Sequence, residues 1–375
     1  MIPEYHGTAR VYAEEINDPM ERIQKSLEVS YFDLHNIWNI SNGYFSPCDG
    51  FHGYEEIRSI LEDNSLPDGT RWSVPLILSA PFEICDSLRN GENVKITFEN
   101  RVVAILEVYD KFAIDMEWYM KKMFGLKAER HPFAMHMNRK SNMCISGKII
   151  SVRRDNFPFM FKSVDTENVR KIIQEKGFHS VCGFQTRNAP HRGHEFIHKL
   201  ALLNFDSIAL TPSIGPKKEG DLPDNLIMLS YETYRKNYVP SERTLLIPVN
   251  YAMIYAGPRE AFLHMIMRKN MGCSHFIVGR DHAGTDNIYG QDQCREYLTA
   301  MGNVGITPVF VDEIFYCKRC DELCTERTCP HSEETRTRFS GTLIRDMIKH
   351  GKIPDKNVMR EDVFQTIAGN HQETV

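Results

Sequence analysis

Phe178-His-Ser-Val-Cys-Gly-Phe184 runs straight into Gln185-Thr-Arg-Asn-Ala-Pro-His-Arg-Gly-His194, and the reading of this stretch decides the fold. Its first part is a short apolar run, which predicts a buried strand of a parallel sheet. Beyond it, Phe196, Ile197, Leu200 and Leu203 recur at helical spacing between His191 and Asn204, with Pro190 placed just before them as a helix-opening residue. Residues 185–194 therefore sit at a strand-to-helix turn. There the first backbone N–H groups of the helix lack internal partners and the helix dipole is positive, which suits a phosphate. His191 and His194 share one face of the first turn. Alone, such a pair reads as caps or surface residues; the donors of Gln185, Arg187 and Asn188 in the same turn favour an anion site.

The same alternation continues downstream. Strands at 178–184, 206–211, 244–249, 274–278 and 306–311 alternate with helices at 191–204, about 225–236, 258–271 and 292–301. That rhythm predicts a doubly wound parallel α/β sheet, whose ligands bind outside the carboxyl ends of the strands. Residues 1–165 read differently: turn signals such as Asn42-Gly43, Asp68-Gly69 and Asn90-Gly91 separate short runs including 74–78, 94–98 and 102–108, which predicts a mainly β domain with a few helices. Residues 312–375 hold a cysteine cluster and a helix near 341–350 ending at Gly351. Three units are expected, 1–165, 166–311 and 312–375, in keeping with a length of 375 residues.

Composition excludes several classes. A net charge of -5 gives no basic field for a nucleic acid. No stretch of about 18 apolar residues exists to cross a membrane, and the N-terminus lacks a basic region followed by an apolar one. A cytoplasmic protein is expected. Six of the ten cysteines are scattered singly, as buried small hydrophobes are.

Further loops carry chemistry. Strand 274–278 runs into Gly279-Arg-Asp-His-Ala-Gly284, where two glycines allow close approach to a ligand; in isolation this could be a salt-bridged loop, but its place in the same sheet opens it on the same crevice. Lys217 and Lys218 are either solvated or supply a clamp for a polyphosphate. Ala256-Gly-Pro-Arg-Glu260 opens a second helix towards the crevice, and Ser340-Gly-Thr-Leu-Ile-Arg345 reads as a capped helix start or a nucleotide contact. Finally, Cys317-x2-Cys320-x3-Cys324-x4-Cys329-x-His331 matches tetrahedral Zn²⁺ ligation. Cys317, Cys320, Cys329 and His331 are the preferred set, with Cys324 in place of His331 as the alternative; such a closed site would hold structure and do no chemistry.

With these motifs in order, the chain resembles the sulfate adenylyltransferase (ATP sulfurylase) family, in its zinc-containing bacterial and archaeal form without a kinase domain. The resemblance rests on Gln185-Thr-Arg-Asn188 with His191-x-x-His194, on 279–284, 257–261 and 340–345, and on Asn42-Gly-Tyr-Phe-Ser-Pro47 and Asp68-Gly-Thr-Arg-Trp72, so it spans nearly the whole chain. It implies an N-terminal PUA-like domain, a nucleotidyltransferase domain and a small zinc-bearing C-terminal subdomain. The implied reaction joins MgATP and sulfate into adenylyl sulfate and diphosphate by direct attack of a sulfate oxygen on the α-phosphorus. It also implies a homodimer or larger homo-oligomer.

The resemblance carries roles onto residues. Thr186, Arg187, Asn188, His191 and His194 would form the catalytic group; Gln185 and Arg187 would hold sulfate, Asn188 would orient phosphate oxygens, and the histidines would stabilise charge on the α- and β-phosphates. Lys218, Ala256, Gly279, Arg280, Asp281, His282 and Gly284 complete the expected substrate contacts, the 279–284 loop seating adenosine. One position departs: where the family reads Ala-Met-Arg, this chain has Ala252-Met253-Ile254. A charged hydrogen bond contributes on the order of 1.5–3 kcal/mol, so either a neighbour such as Lys217, Lys218 or Arg259 compensates, or Ile254 makes room for an acceptor other than sulfate.

Overall fold

The structure is a computed structural model; it describes the chain except residues 1, 8, 17–21, 126–130, 132, 134–140, 219, 281, 286–287, 291, 340–343, 345, 348–349, 351 and 372–375. The N-terminal part is built on one sheet of β1 (Glu14–Glu15), β2 (Ser26–Glu28), β3 (Gly50–Phe51), β4 (Asn93–Phe98), β5 (Arg101–Ala113) and β6 (Met143–Val152). Its order is β1-β6-β5-β4-β2, with β3 also on β6. β4, β5 and β6 form an antiparallel meander, and Ile96, Ala104, Leu106, Val108 and Ile145 bury its apolar face. Helices α1 (Tyr31–Ser41), α2 (Tyr54–Asp63), α3 (Phe82–Ser87) and α4 (Met116–Phe124) accompany it. The run 74–78 forms no strand: Pro75 has no N–H to give a ladder, and Leu76 instead exchanges hydrogen bonds with His52 at 2.9 and 3.0 Å.

Asp165 caps α5 (Thr166–Glu175), its carboxylate accepting from Glu167 N and Asn168 N at 3.0 and 3.2 Å. The second sheet follows: β7 (Val181–Thr186), β8 (Ser207–Ile214), β9 (Thr244–Leu246), β10 (Val249–Asn250), β11 (His275–Val278) and β12 (Thr307–Phe310). All its pairings are parallel and its order is β10-β8-β7-β11-β12, with β9 beside β10 on β8. The expected strand 244–249 is split at Pro248, which has no N–H for the ladder. Because the chain leaves β7 towards β8 and later returns to its other side as β11, the strand order reverses between β7 and β11. The carboxyl ends of that pair form the crevice where doubly wound sheets bind ligands.

Helices α6 (Arg192–Asn204), α7 (Asp224–Tyr238), α8 (Pro258–Asn270), α9 (Gln293–Met301) and α10 (Glu361–His371) complete the domain. One apolar cluster joins α7, α10 and β8. A second runs from α8 and α9 into the N-terminal sheet, so α8 lies between the two parts of the molecule with every residue from Glu260 to Asn270 buried. α10 gave no signal in the sequence reading; Arg360, just before it, pairs with the buried carboxylate of Glu195 on α6 at 2.7 and 3.0 Å. The expected helix at 341–350 falls largely outside the described residues. β13 (Phe315–Cys317), β14 (Glu322–Cys324) and β15 (Arg336–Arg338) form a small antiparallel sheet around the cysteine cluster.

Candidate active site

At the carboxyl end of β7 the chain turns sharply. Thr186 Oγ1 accepts from Asn188 N at 3.1 Å, and the His191 ring caps α6, its Nδ1 accepting from His194 N at 3.3 Å. The His191 and His194 rings stack with centroids 3.7 Å apart, and Phe339 stacks on the outer face of His191 at 5.4 Å. Gly193 is required by this arrangement: a Cβ there would stand 2.8 Å from Phe339 and 3.1 Å from the His191 ring. Burial is the largest cause holding both imidazoles neutral; it takes His194 down to about 4 and His191 well below its usual value, where His194 and His198 add repulsion. The pair thus presents neutral N–H donors. The helix end is also less open than the sequence implied, since Arg192 N donates to Val358 O at 2.9 Å and His194 N is taken by His191.

Gln185 and Arg187, two residues apart at the strand end, differ in setting. Gln185 is anchored to the crevice floor, Nε2 donating to Ser213 Oγ at 2.8 Å and lying 3.3 Å from His264 Nε2. Arg187 pairs with the buried carboxylate of Asp221 at 3.3 Å and stands 5.0 Å over the ring of Tyr255. Tyr255 joins the loops: its hydroxyl accepts from Lys218 N at 2.7 Å and lies 3.2 Å from Asp221 Oδ2. Lys218 Nζ reaches across to Thr285 Oγ1 at 3.3 Å, so it bridges the 215–222 loop to the turn after β11. Lys217 does not serve the crevice; its side chain is 6% exposed and bonds Asp224 at the start of α7.

The turn after β11 closes the other wall. Gly257 N donates to Ala283 O at 3.2 Å, tying the start of α8 to this turn. Gly257 has φ +52°, and a Cβ there would fall 2.5 Å from the Tyr289 ring, so only glycine fits. His282 turns one nitrogen inward, Nε2 meeting His264 Nδ1 at 3.1 Å; burial lowers it to about 3. Arg280 points to a polar cavity beside Asp312, Glu313, Arg327 and Arg338, pairing with Glu313 at 3.0 Å. Gly279 lines the same cavity and Gly284 is buried in the turn. Asp281, also expected here, lies outside the described residues, as do most of 340–345. Ala256 sits at the junction, its N–H donating to Glu260 Oε2 at 2.9 Å.

Two expectations about charge compensation fail. Arg259 does not face the crevice: its guanidinium donates to Ile60 O, Ser73 O and Leu61 O at 3.1, 3.0 and 2.9 Å, riveting α8 to the N-terminal part. Ile254 does not line the acceptor pocket either. Its neighbour Met253 contacts Gln185, while Ile254 turns the other way, into an apolar cavity with Phe32, Val74, Leu76, Tyr119 and Leu263. The sequence reading missed Asp221, Tyr255 and the buried stripe Glu260, His264 and Arg268 on α8. The stripe had a signal, three ionisable residues at four-residue intervals separated by the apolar triplets Ala261–Leu263 and Met265–Met267.

In the C-terminal sheet, Cys317 Sγ, Cys320 Sγ, Cys329 Sγ and His331 Nδ1 all lie within 4.8 Å of one another. The Cys320–Cys329 Sγ separation is 3.7 Å, and His331 Nδ1 stands 3.4, 3.3 and 3.7 Å from Cys317, Cys320 and Cys329. Thiolates on a tetrahedral zinc at about 2.3 Å stand roughly 3.8 Å apart, so this donor set fits a metal ion. Cys324 groups with Cys320 and Glu322 instead.

A doubly wound domain with clustered anion donors at its switch point defines a phosphate-binding α/β protein. The ATP-sulfurylase family matches residues 163–369, and a PUA-like domain matches residues 8–154. A sulfate adenylyltransferase of Staphylothermus marinus is 36% identical over 91% of this chain and 90% of its own length. That of Ignicoccus hospitalis is 38% identical over 88% and 87%. A solved hexameric APS kinase from Thiobacillus denitrificans shares the fold with a TM-score of 0.74 and 17% identity, over 99% of this chain and 68% of that one. The chain belongs to the ATP-sulfurylase family.

Proposed function

We propose that the protein is a sulfate adenylyltransferase, converting MgATP and sulfate into adenylyl sulfate and diphosphate. The observation that carries this is the meeting of the two loops at the β7/β11 switch point, where Gln185 and His282 both reach His264, at 3.3 and 3.1 Å. Sulfate is already an anion, so the reaction needs no general base, and catalysis falls to positioning and charge stabilisation. Arg187 holds sulfate with Gln185 behind it, and Asn188 orients phosphate oxygens. His191 and His194 donate to the α- and β-phosphates as diphosphate leaves, with Thr186 holding the turn. Lys218, Ala256 and residues 279–284, including Arg280, Asp281 and His282, seat the nucleotide. Mg²⁺ arrives with ATP and neutralises its phosphates.

The same reading assigns structural Zn²⁺ to Cys317, Cys320, Cys329 and His331, division of the chain near 165 and 311, a homo-oligomer and a cytoplasmic setting. No helix among the described residues is long and apolar enough to cross a membrane. The test is ATP-dependent release of pyrophosphate with sulfate, with adenylyl sulfate identified as the second product. Absence of both products with the zinc-loaded protein would refute the assignment.

A further inference from the structure

Glu260, His264 and Arg268 line one face of α8, and two of them have evident work. Glu260 accepts from Ile254 N and Ala256 N at 3.0 and 2.9 Å and so shapes the loop before the helix. His264 meets Gln185 and His282. Arg268 is fully buried, and its Nε and Nη2 both bond Thr211 Oγ1, at 3.1 and 2.8 Å. Its other partners, Thr211 O, His264 O, Met267 Sδ and the Phe276 ring, carry no charge, and burial keeps the nearby Tyr44, Tyr251 and Cys273 protonated. Among the described residues no carboxylate pairs with it.

The position of this charge is specific. Thr211 stands opposite Gln185 in the parallel register of β8 and β7. Side chains of a helix lean towards its N-terminus, so Arg268 is carried up towards the strand ends. Gly183 on β7 makes the room, since a Cβ there would lie 2.7 Å from Arg268 Cγ. Burial lowers the guanidinium to about 10, which leaves it cationic at neutral pH. A buried cation without a counter-charge is unfavourable until an anion arrives nearby, and in a water-poor surrounding its attraction is weakly screened.

We propose that Arg268 is a positioning residue for the acceptor: its uncompensated charge, held on Thr211 across from Gln185 and one helical turn below His264, draws a doubly charged oxyanion into the crevice. This supplies from below the charge that Ile254 does not offer. The inference rests on the crevice taking an oxyanion, the reading proposed above.

The test separates charge from packing by comparing two tetrahedral anions, sulfate and perchlorate, that differ in charge. Their dissociation constants are measured by titration calorimetry on the zinc-loaded protein with α,β-methylene-ATP, which cannot transfer its adenylyl group. A Coulomb interaction doubles with the ligand's charge, so Arg268→Met should weaken perchlorate about tenfold and sulfate about a hundredfold, whereas Arg268→Lys should restore most of both. Thr211→Asp keeps Arg268 bonded while neutralising it, and should give the same charge-ordered loss even where Arg268→Met fails to fold. Equal losses for the two anions, or unchanged binding in Thr211→Asp, would overturn the role of Arg268. Native protein that binds both anions yet makes no adenylyl sulfate would instead refute the catalytic reading alone.

Discussion

His191 and His194 lie ring on ring, centroids 3.7 Å apart and planes inclined by 22°. Neither ring is charged near neutral pH, so in the proposed reaction the pair would act on phosphate through N–H donation, with shape supplied by the stack. Loss of one preorganised donor typically lowers a rate by about 10²–10³. His194→Ala should therefore lose that much single-turnover rate. It also removes the ring on which His191 leans, so His191→Ala/His194→Ala should cost far less than the product of the single effects. Multiplicative losses in rapid-quench assays would show the rings to be independent.

Much of this site was legible because its signals are local. An apolar run, a proline and helical spacing placed Gln185 to His194 at the end of β7, and strand boundaries fell within a few residues of those observed. What escaped depends on tertiary direction. Nothing in the sequence says that Arg259 points to Ile60, Leu61 and Ser73, nearly two hundred positions earlier, or that Ile254 and Met253 face opposite ways. Asp221 and Tyr255 acquire meaning only when their two loops meet.

Acid should destabilise the protein through buried histidines other than those assigned to the reaction. His6, His35 and His52 are each under 5% exposed, and burial lowers them to about 4, 4 and 3. The unfolded chain takes up protons at these positions that the folded chain refuses. Stability is therefore complete above about pH 6.5 and declines as pH falls towards 4, each ring costing about 1.4 kcal/mol by pH 5.5. Urea denaturation at pH 7.5 and 5.5 measures this; equal midpoints would contradict it.

Arg259→Ala should loosen the junction between the two parts of the molecule. It removes three charged hydrogen bonds and strands carbonyls of Ile60, Leu61 and Ser73, a loss of about 3 kcal/mol or more. Denaturant unfolding followed separately by tryptophan fluorescence, since Trp38, Trp72 and Trp118 all lie in the N-terminal part, and by far-ultraviolet circular dichroism should reveal it. An unchanged midpoint would mean that water replaces the guanidinium without loss.

The cysteine cluster predicts an asymmetry between neighbouring thiols. Cys320→Ser or His331→Ala should abolish tight zinc binding, whereas Cys324→Ser should retain one zinc per chain, because Cys324 lies outside the four-donor group. Metal analysis after dialysis against a chelator reads this directly. Zinc loss in Cys324→Ser, with retention in His331→Ala, would exchange the fourth ligand.

Ile254→Arg tests whether residue 254 faces the acceptor. If Ile254 faced the acceptor, the substitution would raise sulfate turnover. Its side chain is only 5% exposed and contacts apolar residues of both parts of the molecule. An arginine there would bury a guanidinium among apolar side chains, while the nearest carboxylate, Glu260, is already engaged by the N–H groups of Ile254 and Ala256; that costs several kcal/mol unless the backbone moves. A fall in melting temperature is expected, with no gain in sulfate turnover among the folded molecules. A steep gain would mean that the 251–256 loop can turn residue 254 into the crevice, and that Arg268 is not the charge on which acceptor binding relies.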